Sequence, residues 1–517
     1  MKETHVKEKH TIDWPITIIC VAIVFVFVIF MAAKPDATLA AVNKLFDVTT
    51  AIVGVPILWF VFLGLFFCGY LAFGKYGKIK LGSGKPDFSL FSYISMMICA
   101  ALAATAVFYS FIEWSYYYTA PAFGIEANTT QAANMSLPYA FFHWGFSVQV
   151  IFVLTAVAMS YAVYVRKVPV LRVSAICESM MGDFKYKKPL GKVIDAITIL
   201  AIVGGMGVSL GLGVPLISAG IAKIFGIQVS FTMNVIIILA VASIFSLSSF
   251  VGVEKGMRKL SDGTIYLAIA FIAFIFIFGP TGFIVKNFTQ SMGTMITNYV
   301  NMSLFTDPIG KSGFPEANTI FLFTLALNYA ALMGVFITKI SKGRTIKEVV
   351  LTCLIGISLG TWVMFGVNGS FTMHTELTGG PALSTATDGQ AAVFETLSVL
   401  PGGKLILPIV FTVVAIGFLA TSLDSAAFSL SATATRKLDK NGNTSPTFRL
   451  FWCLVLALVP LSIMFSNAPF GALKTLCIFL SVPFLLVIIY MNIGLMKWLK
   501  KDENGVQIDP ENLEETS

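Results

Sequence analysis

The sequence predicts an all-α membrane protein that crosses a bilayer about twelve times, and three observations predict it. The composition suits lipid: 56% of the 517 residues are apolar and 12% are charged, about half the charged share of a soluble domain, with a mean hydropathy of +0.84. Apolar runs long enough to cross hydrocarbon recur along the whole chain. The basic residues fall on alternate connections.

The candidate spans are residues 15–33, 52–74, 89–112, 139–165, 193–222, 231–251, 264–285, 318–338, 349–369, 405–433, 450–466 and 472–496. With both termini placed in the cytoplasm, 28 of the 35 Lys and Arg fall in inner segments. The positive-inside rule selects that orientation and an even number of spans. The net charge of +8 then reflects topology, because no basic face is interleaved with exposed aromatics as nucleic-acid binding requires. The N-terminal segment, residues 1–14, carries no short apolar region followed by a small-residue cleavage site, so the first span is expected to remain as an anchor. Seven scattered cysteines without a CxxC pair, and four His, argue against a metal centre or a disulfide framework.

No polar stretch is long enough to fold as a soluble domain. The longest are 119–137, 286–317 and 370–404, plus an acidic tail at 499–517 that is expected to be disordered. Residues 286–304 have weak helical amphipathicity and read either as a helix on the membrane surface or as a loop. Two spans stand out. The fifth holds Gly204, Gly205, Gly207, Gly211 and Gly213, each costing up to about 1 kcal/mol in a helix. They read either as close helix packing or as a weakened ladder offering carbonyls to a cavity. The tenth holds Thr421, Ser422, Ser425, Ser429 and Ser431 around Asp424. Its hydroxyls can bond back to their own helix. Asp424 is a functional or near-interface candidate, since a charge at that depth needs water or a partner.

Five stretches, in order, are recognisable: FIEWSYYYTAPAFGIEANTT from Phe111, FHWG at 142–145, GVSLGLG at 207–213, FTDPIGKSGFP at 305–315 and TKISKGRTIKE at 338–348. Together they make the chain resemble the betaine/choline/carnitine transporter family. The three tyrosines before PAFG look closest to that family's carnitine/γ-butyrobetaine exchangers. The resemblance implies twelve helices, with two inverted five-helix repeats of LeuT-like type at 86–285 and 318–498. Two peripheral helices at 15–75 precede them. It also implies a homotrimer in the bacterial inner (plasma) membrane, moving a small solute by alternating access, with no enzymatic activity and no cofactor.

In the family, aromatic faces surround a trimethylammonium group, which donates no hydrogen bond. The resemblance places Tyr116, Trp144, Gln149, Leu325, Ala326, Asn328 and Tyr329 at that site. Trp144 and Tyr116 keep the family's rings, while Gln149 replaces a tryptophan, with Phe152 one turn on. Leu325 and Ala326 stand where paired tryptophans are usual. Loss of those rings weakens a quaternary ammonium, and an amide accepts a hydrogen bond that only an N–H offers. The leading expectation is therefore a zwitterionic, amino-acid-like solute. The alternative is a quaternary ammonium such as glycine betaine, carnitine or choline. Gln149 could instead bond between helices, and Trp144 could be a packing residue or an interfacial anchor. A membrane-embedded enzyme is a remote alternative, lacking a cluster of titratable groups. A channel would show flux without saturation, and a sensor would carry a signalling domain.

The resemblance also supplies a sodium site. Thr421 and Ser422, with Phe418 before them, match the symporters' hydroxyl pair, and Cys99 and Leu102 would add backbone carbonyls. Thr264 stands where an arginine replaces this sodium in exchangers. Ile202 and Met206 replace the threonines of a second sodium site, so one coupling sodium is expected. Osmotic sensing is not implied, because relatives that sense carry a long basic tail.

Overall fold

The computed structural model describes residues 11–251, 256–438, 444–465 and 471–505. Residues 499–505 of the tail expected to be disordered are helical instead, as the end of a helix spanning Gly471–Gly505; from residue 506 on the tail falls outside the described residues, as do residues 1–10 of the N-terminal segment. In hydrocarbon every backbone polar group must be satisfied internally, and the apolar runs accordingly form helices: α1 (Trp14–Ala33), α2 (Pro35–Phe73), α3 (Leu90–Thr119), α4 (Thr130–Phe142), α5 (Val148–Tyr164), α6 (Val173–Met180), α7 (Lys187–Phe225), α8 (Phe231–Val251), α9 (Arg258–Phe278), α10 (Thr281–Leu304), α11 (Phe321–Ile340), α12 (Ile346–Leu351), α13 (Ser358–Leu377), α14 (Gly389–Leu397), α15 (Ile406–Thr433), α16 (Pro446–Phe465) and α17 (Gly471–Gly505).

Among the described residues ten helices are long and apolar enough to cross a membrane, with shorter apolar helices at Phe231–Ile244 and Pro446–Ser462. These two lie where the sixth and eleventh spans were expected. The stretch read as surface helix or loop is helical, as α10. Wide π turns at His143–Ser147 and Thr352–Ile357 join α4 to α5 and α12 to α13.

The core packs reciprocally. α3 lies against α13, α5 against α11, and α7 against α15. α7 runs unbroken through its glycines, and two of them, Gly205 and Gly213, sit at close approaches to neighbouring helices. An added Cβ at Gly205 would stand 2.9 Å from Tyr329 Cδ2, and one at Gly213 would stand 2.6 Å from Ala104 Cβ. The broken helix is α3 instead: Ala103 has φ 49° and ψ −167°.

An ionic clamp closes one end of the bundle. Asp13, just ahead of α1, accepts from Arg436 at 3.0 Å and Arg172 at 3.5 Å, and Arg172 also pairs with Asp195 of α7. A short β1 (Thr11–Ile12) pairs with β2 (Thr435–Lys437) beside it. Burial opposes the charged form of Asp13, but Arg436 and Arg172 outweigh it and hold the carboxyl below its usual range. A depressed pKa stabilises above the unfolded value and loses that contribution as pH falls through the folded one. Asp13→Asn is expected to cost about 1–3 kcal/mol at pH 7, with the deficit constant from pH 8 to 5 and shrinking only below about pH 4. Thermal melts in detergent across that range check it.

Candidate binding cavity

The breaks in α3 and at the α4–α5 junction build the site. A helix interrupted at Ala103 cannot use every carbonyl of its preceding turn for its own ladder. Ala101, Leu102 and Thr105 face a cavity beside this break, opposite Trp144, Val148 and Phe152, with Leu322, Leu325, Ala326 and Tyr329 of α11 completing the wall.

The π turn positions Trp144. Gly145 departs from helical geometry with ψ −142°, and two carbonyls near it are taken up by α13. Trp362 Nε1 donates to Phe141 O at 2.9 Å, and Thr361 Oγ1 to Trp144 O at 2.9 Å. Only glycine fits there, since a Cβ on residue 145 would lie 2.6 Å from Trp362 Nε1. The Trp144 ring is then held between Phe365, with centroids 5.4 Å apart, and Tyr109 at 6.0 Å. Its Nε1 donates to Glu113 of α3. Tyr329 is fixed from its hydroxyl, which bonds Ser209 of α7. Ser209 in turn lies 2.7 Å from Thr105 Oγ1. The ring faces are thus rigid before any solute arrives.

Of the residues expected at the substrate site, Trp144, Leu325, Ala326 and Tyr329 line this cavity. Three others lie off it. Tyr116 is 41% exposed and stacks edge-on against Tyr109, one ring removed from Trp144. Asn328 is buried where α11 meets Gly205 of α7. Gln149 is fully buried, and its Nε2 approaches Trp144 O at 3.4 Å while Oε1 finds no hydrogen-bond partner. Gln149 is not among the residues that line the cavity. Thr105, Val148 and Leu322 line the cavity without any motif in the sequence to mark them.

Of the residues expected to hold sodium, Thr421 and Ser422 bond back to their own helix, and Ser422 also reaches Cys99 of α3. Ser422 Oγ lies 2.9 Å from Cys99 O and 2.8 Å from Phe418 O. Thr421 Oγ1 lies 2.8 Å from Gly417 O and 3.0 Å from Phe418 O. Leu102 is buried beside the break. Thr264 of α9 closes the other side, its Oγ1 2.5 Å from where a Cβ on Gly417 would stand. Among the described residues, no group of three or more His, Cys, Asp or Glu could hold a metal ion. Asp424, two residues on, is buried in α15.

A family model described as betaine/carnitine/choline family transporter matches residues 15–504. A carnitine transporter of Acinetobacter baumannii is 37% identical over 482 residues, covering 93% of this chain and 87% of the relative. An uncharacterized transporter of Escherichia coli, YeaV, is 36% identical over 436 residues, covering 84% and 90%. Among solved structures, a sodium-coupled sialic acid symporter is similar at a TM-score of 0.43 and 13% identity, covering 86% of each chain.

Proposed function

The chain belongs to the betaine/carnitine/choline transporter family, whose members are membrane transporters rather than enzymes, and from that premise we propose that it carries a quaternary ammonium solute. One observation carries this reading: the cavity wall offers Trp144, Phe152 and Tyr329 among alkyl groups, while the Gln149 amide is turned onto the Trp144 carbonyl. A trimethylammonium group has no hydrogen to donate, so ring faces and apolar contact are what it can use. The relative in Acinetobacter baumannii, a carnitine transporter, supports the same class. The reading of an amino-acid-like zwitterion keeps one support, the alkyl groups of Leu325 and Ala326 where rings are usual.

Calorimetry separates the two. Purified protein is titrated with carnitine, glycine betaine, dimethylglycine and glycine. Affinity is expected to fall by about tenfold or more at the first lost methyl, because each N–H exposed to an aromatic wall goes unpaired. Equal or tighter binding of glycine would overturn the quaternary reading. Gln149→Leu is expected to leave this order unchanged within about twofold, since Trp144 O keeps its bond from Thr361 Oγ1 and the change removes a buried oxygen that has no partner.

The rest of the mechanism follows from the same reading. A sodium ion sits between Cys99, Phe418, Thr421 and Ser422, and its entry drives uptake by about 2.3 kcal/mol per 100 mV of membrane potential. The two five-helix halves are inverted repeats. Their support is the reciprocal packing of α3 on α13 and α5 on α11, with a π turn in the second helix of each half. Rocking between the halves exposes the cavity alternately. The basic connections support a topology with both termini in the cytoplasm of a bacterial cell and α10 along the outer surface, and the family's trimer is the expected assembly.

A further inference from the structure

Behind the cavity lies a carboxylate that the transport reading does not use. Glu113 of α3 is 2% exposed. Its Oε2 accepts from Trp144 Nε1 at 2.5 Å, and Oε1 accepts from the Tyr117 hydroxyl. Tyr117 OH also lies 2.7 Å from His143 Nδ1, and His143 Nε2 lies 3.0 Å from Thr319 Oγ1. His143 Nδ1 is 3.7 Å from Glu113 Oε1. Among the described residues no Lys or Arg forms an ion pair with Glu113.

An indole N–H is a donor only, so the direction of the Trp144 bond is fixed and Glu113 is the acceptor. A charge-assisted bond of this kind polarises its donor. It pushes electron density from the N–H into the ring of Trp144, which lines the cavity. The carboxylate also adds its own field, little screened in a buried setting. Both effects favour a cation at the ring and do nothing for an uncharged group of the same shape.

We propose that Glu113 is a specificity-determining residue: through Trp144 it makes the cavity select a cationic headgroup over a neutral one of equal size. Glu113 does not line the cavity, so its action passes through the ring. The inference rests on the quaternary ammonium reading above. A merely structural role would instead hold the indole in place for any ligand alike. Charge selectivity separates these roles, because Glu113→Gln preserves the side-chain length and a carbonyl acceptor for Nε1 while removing the charge.

The experiment compares glycine betaine with 3,3-dimethylbutyrate, which replaces the trimethylammonium by tert-butyl and keeps the carboxylate. Affinities are measured by calorimetry on the full-length protein. Wild type is expected to prefer glycine betaine, and Glu113→Gln to reduce that preference about tenfold. An unchanged ratio, with both ligands weakened equally or not at all, overturns the role of Glu113 and leaves the quaternary reading standing. Absence of any preference in wild type overturns the quaternary reading itself, and Glu113's role with it. If Glu113→Gln does not fold, Trp144→Phe serves, since it keeps a ring and removes the N–H link. Its preference is expected to fall at least tenfold, and retention of the wild-type ratio overturns the proposal.

Discussion

Trp144→Ala is expected to weaken quaternary ammonium binding by two to three orders of magnitude while leaving the protein folded. A desolvated cation–π contact contributes about 2 kcal/mol or more, which alone is roughly 30-fold. The same substitution leaves Glu113 Oε2 without its indole donor, with the Tyr117 hydroxyl still bound to Oε1, at a further cost of about 1–3 kcal/mol. Nothing nearby can substitute. Phe365 and Tyr109 pack on the sides of the indole, and the hydrogen bonds that Thr361 and Trp362 make to this segment end on backbone carbonyls. The junction therefore keeps its shape and presents a hole where the ring stood. Trp144→Phe should recover much of the contact area and only part of the affinity. Calorimetry with glycine betaine or carnitine checks both variants, with gel filtration as the control for folding. Binding by Trp144→Ala within threefold of wild type would remove the aromatic cavity as the seat of recognition.

The class of fold and the position of each apolar run were legible because hydrophobic length is a one-dimensional property. Direction within a helix was not. On a regular helix, residue 149 stands about 140° around from residue 144 at 100° per residue, so the facing of Gln149 depended on the geometry between them. That stretch contains the π turn at His143–Ser147 and the non-helical Gly145, and a single inserted residue rotates everything downstream by about 100°. No residue type announces such a turn. The break in α3 was hidden for the opposite reason. Ala103 lies in CAALAATA, a run of the best helix former, yet has a positive φ. Gly213 sits directly on Ala104, and Leu419 of α15 lies against the same glycine. Conversely, the glycines of α7 advertised a break that is absent, since the same lack of Cβ serves close approach equally well. The pairing of Glu113 with Trp144 joins residues on consecutive spans with no local pattern to mark it. Thr421 and Ser422 were singled out through the resemblance alone, and their hydroxyls bond back to their own helix.

Removing both hydroxyls, as Thr421→Ala with Ser422→Ala, is expected to raise the sodium concentration needed for half-maximal uptake by tenfold or more. The argument is geometric. A hard cation of this size gathers oxygens at about 2.3–2.6 Å, so two oxygens at right angles around it stand roughly 3.3–3.7 Å apart. Ser422 Oγ is 2.9 Å from Cys99 O, and Phe418 O is 2.8 Å from the same hydroxyl. These oxygens need open by only about half an ångström to admit an ion. The hydroxyl proton now donated to them swings away, leaving its lone pairs for the cation. A lost oxygen ligand costs about as much as a hydrogen bond to a charged group, roughly 1.5–3 kcal/mol, so even one effective loss exceeds tenfold. If sodium and solute stabilise the same closed state, each raises the other's affinity by one common factor, so at sub-saturating sodium the double variant also binds solute more weakly. That loss should appear only when sodium is present. With N-methyl-D-glucamine as the replacement cation, wild type and double variant are expected to bind glycine betaine equally weakly. In sodium the wild type alone should tighten, and its melting temperature should rise with sodium as ligand-linked stability does. Uptake into proteoliposomes with sodium replaced on both sides decides the matter, because wild-type transport that persists undiminished would show that this crossing of α3 and α15 does not couple the cycle to sodium.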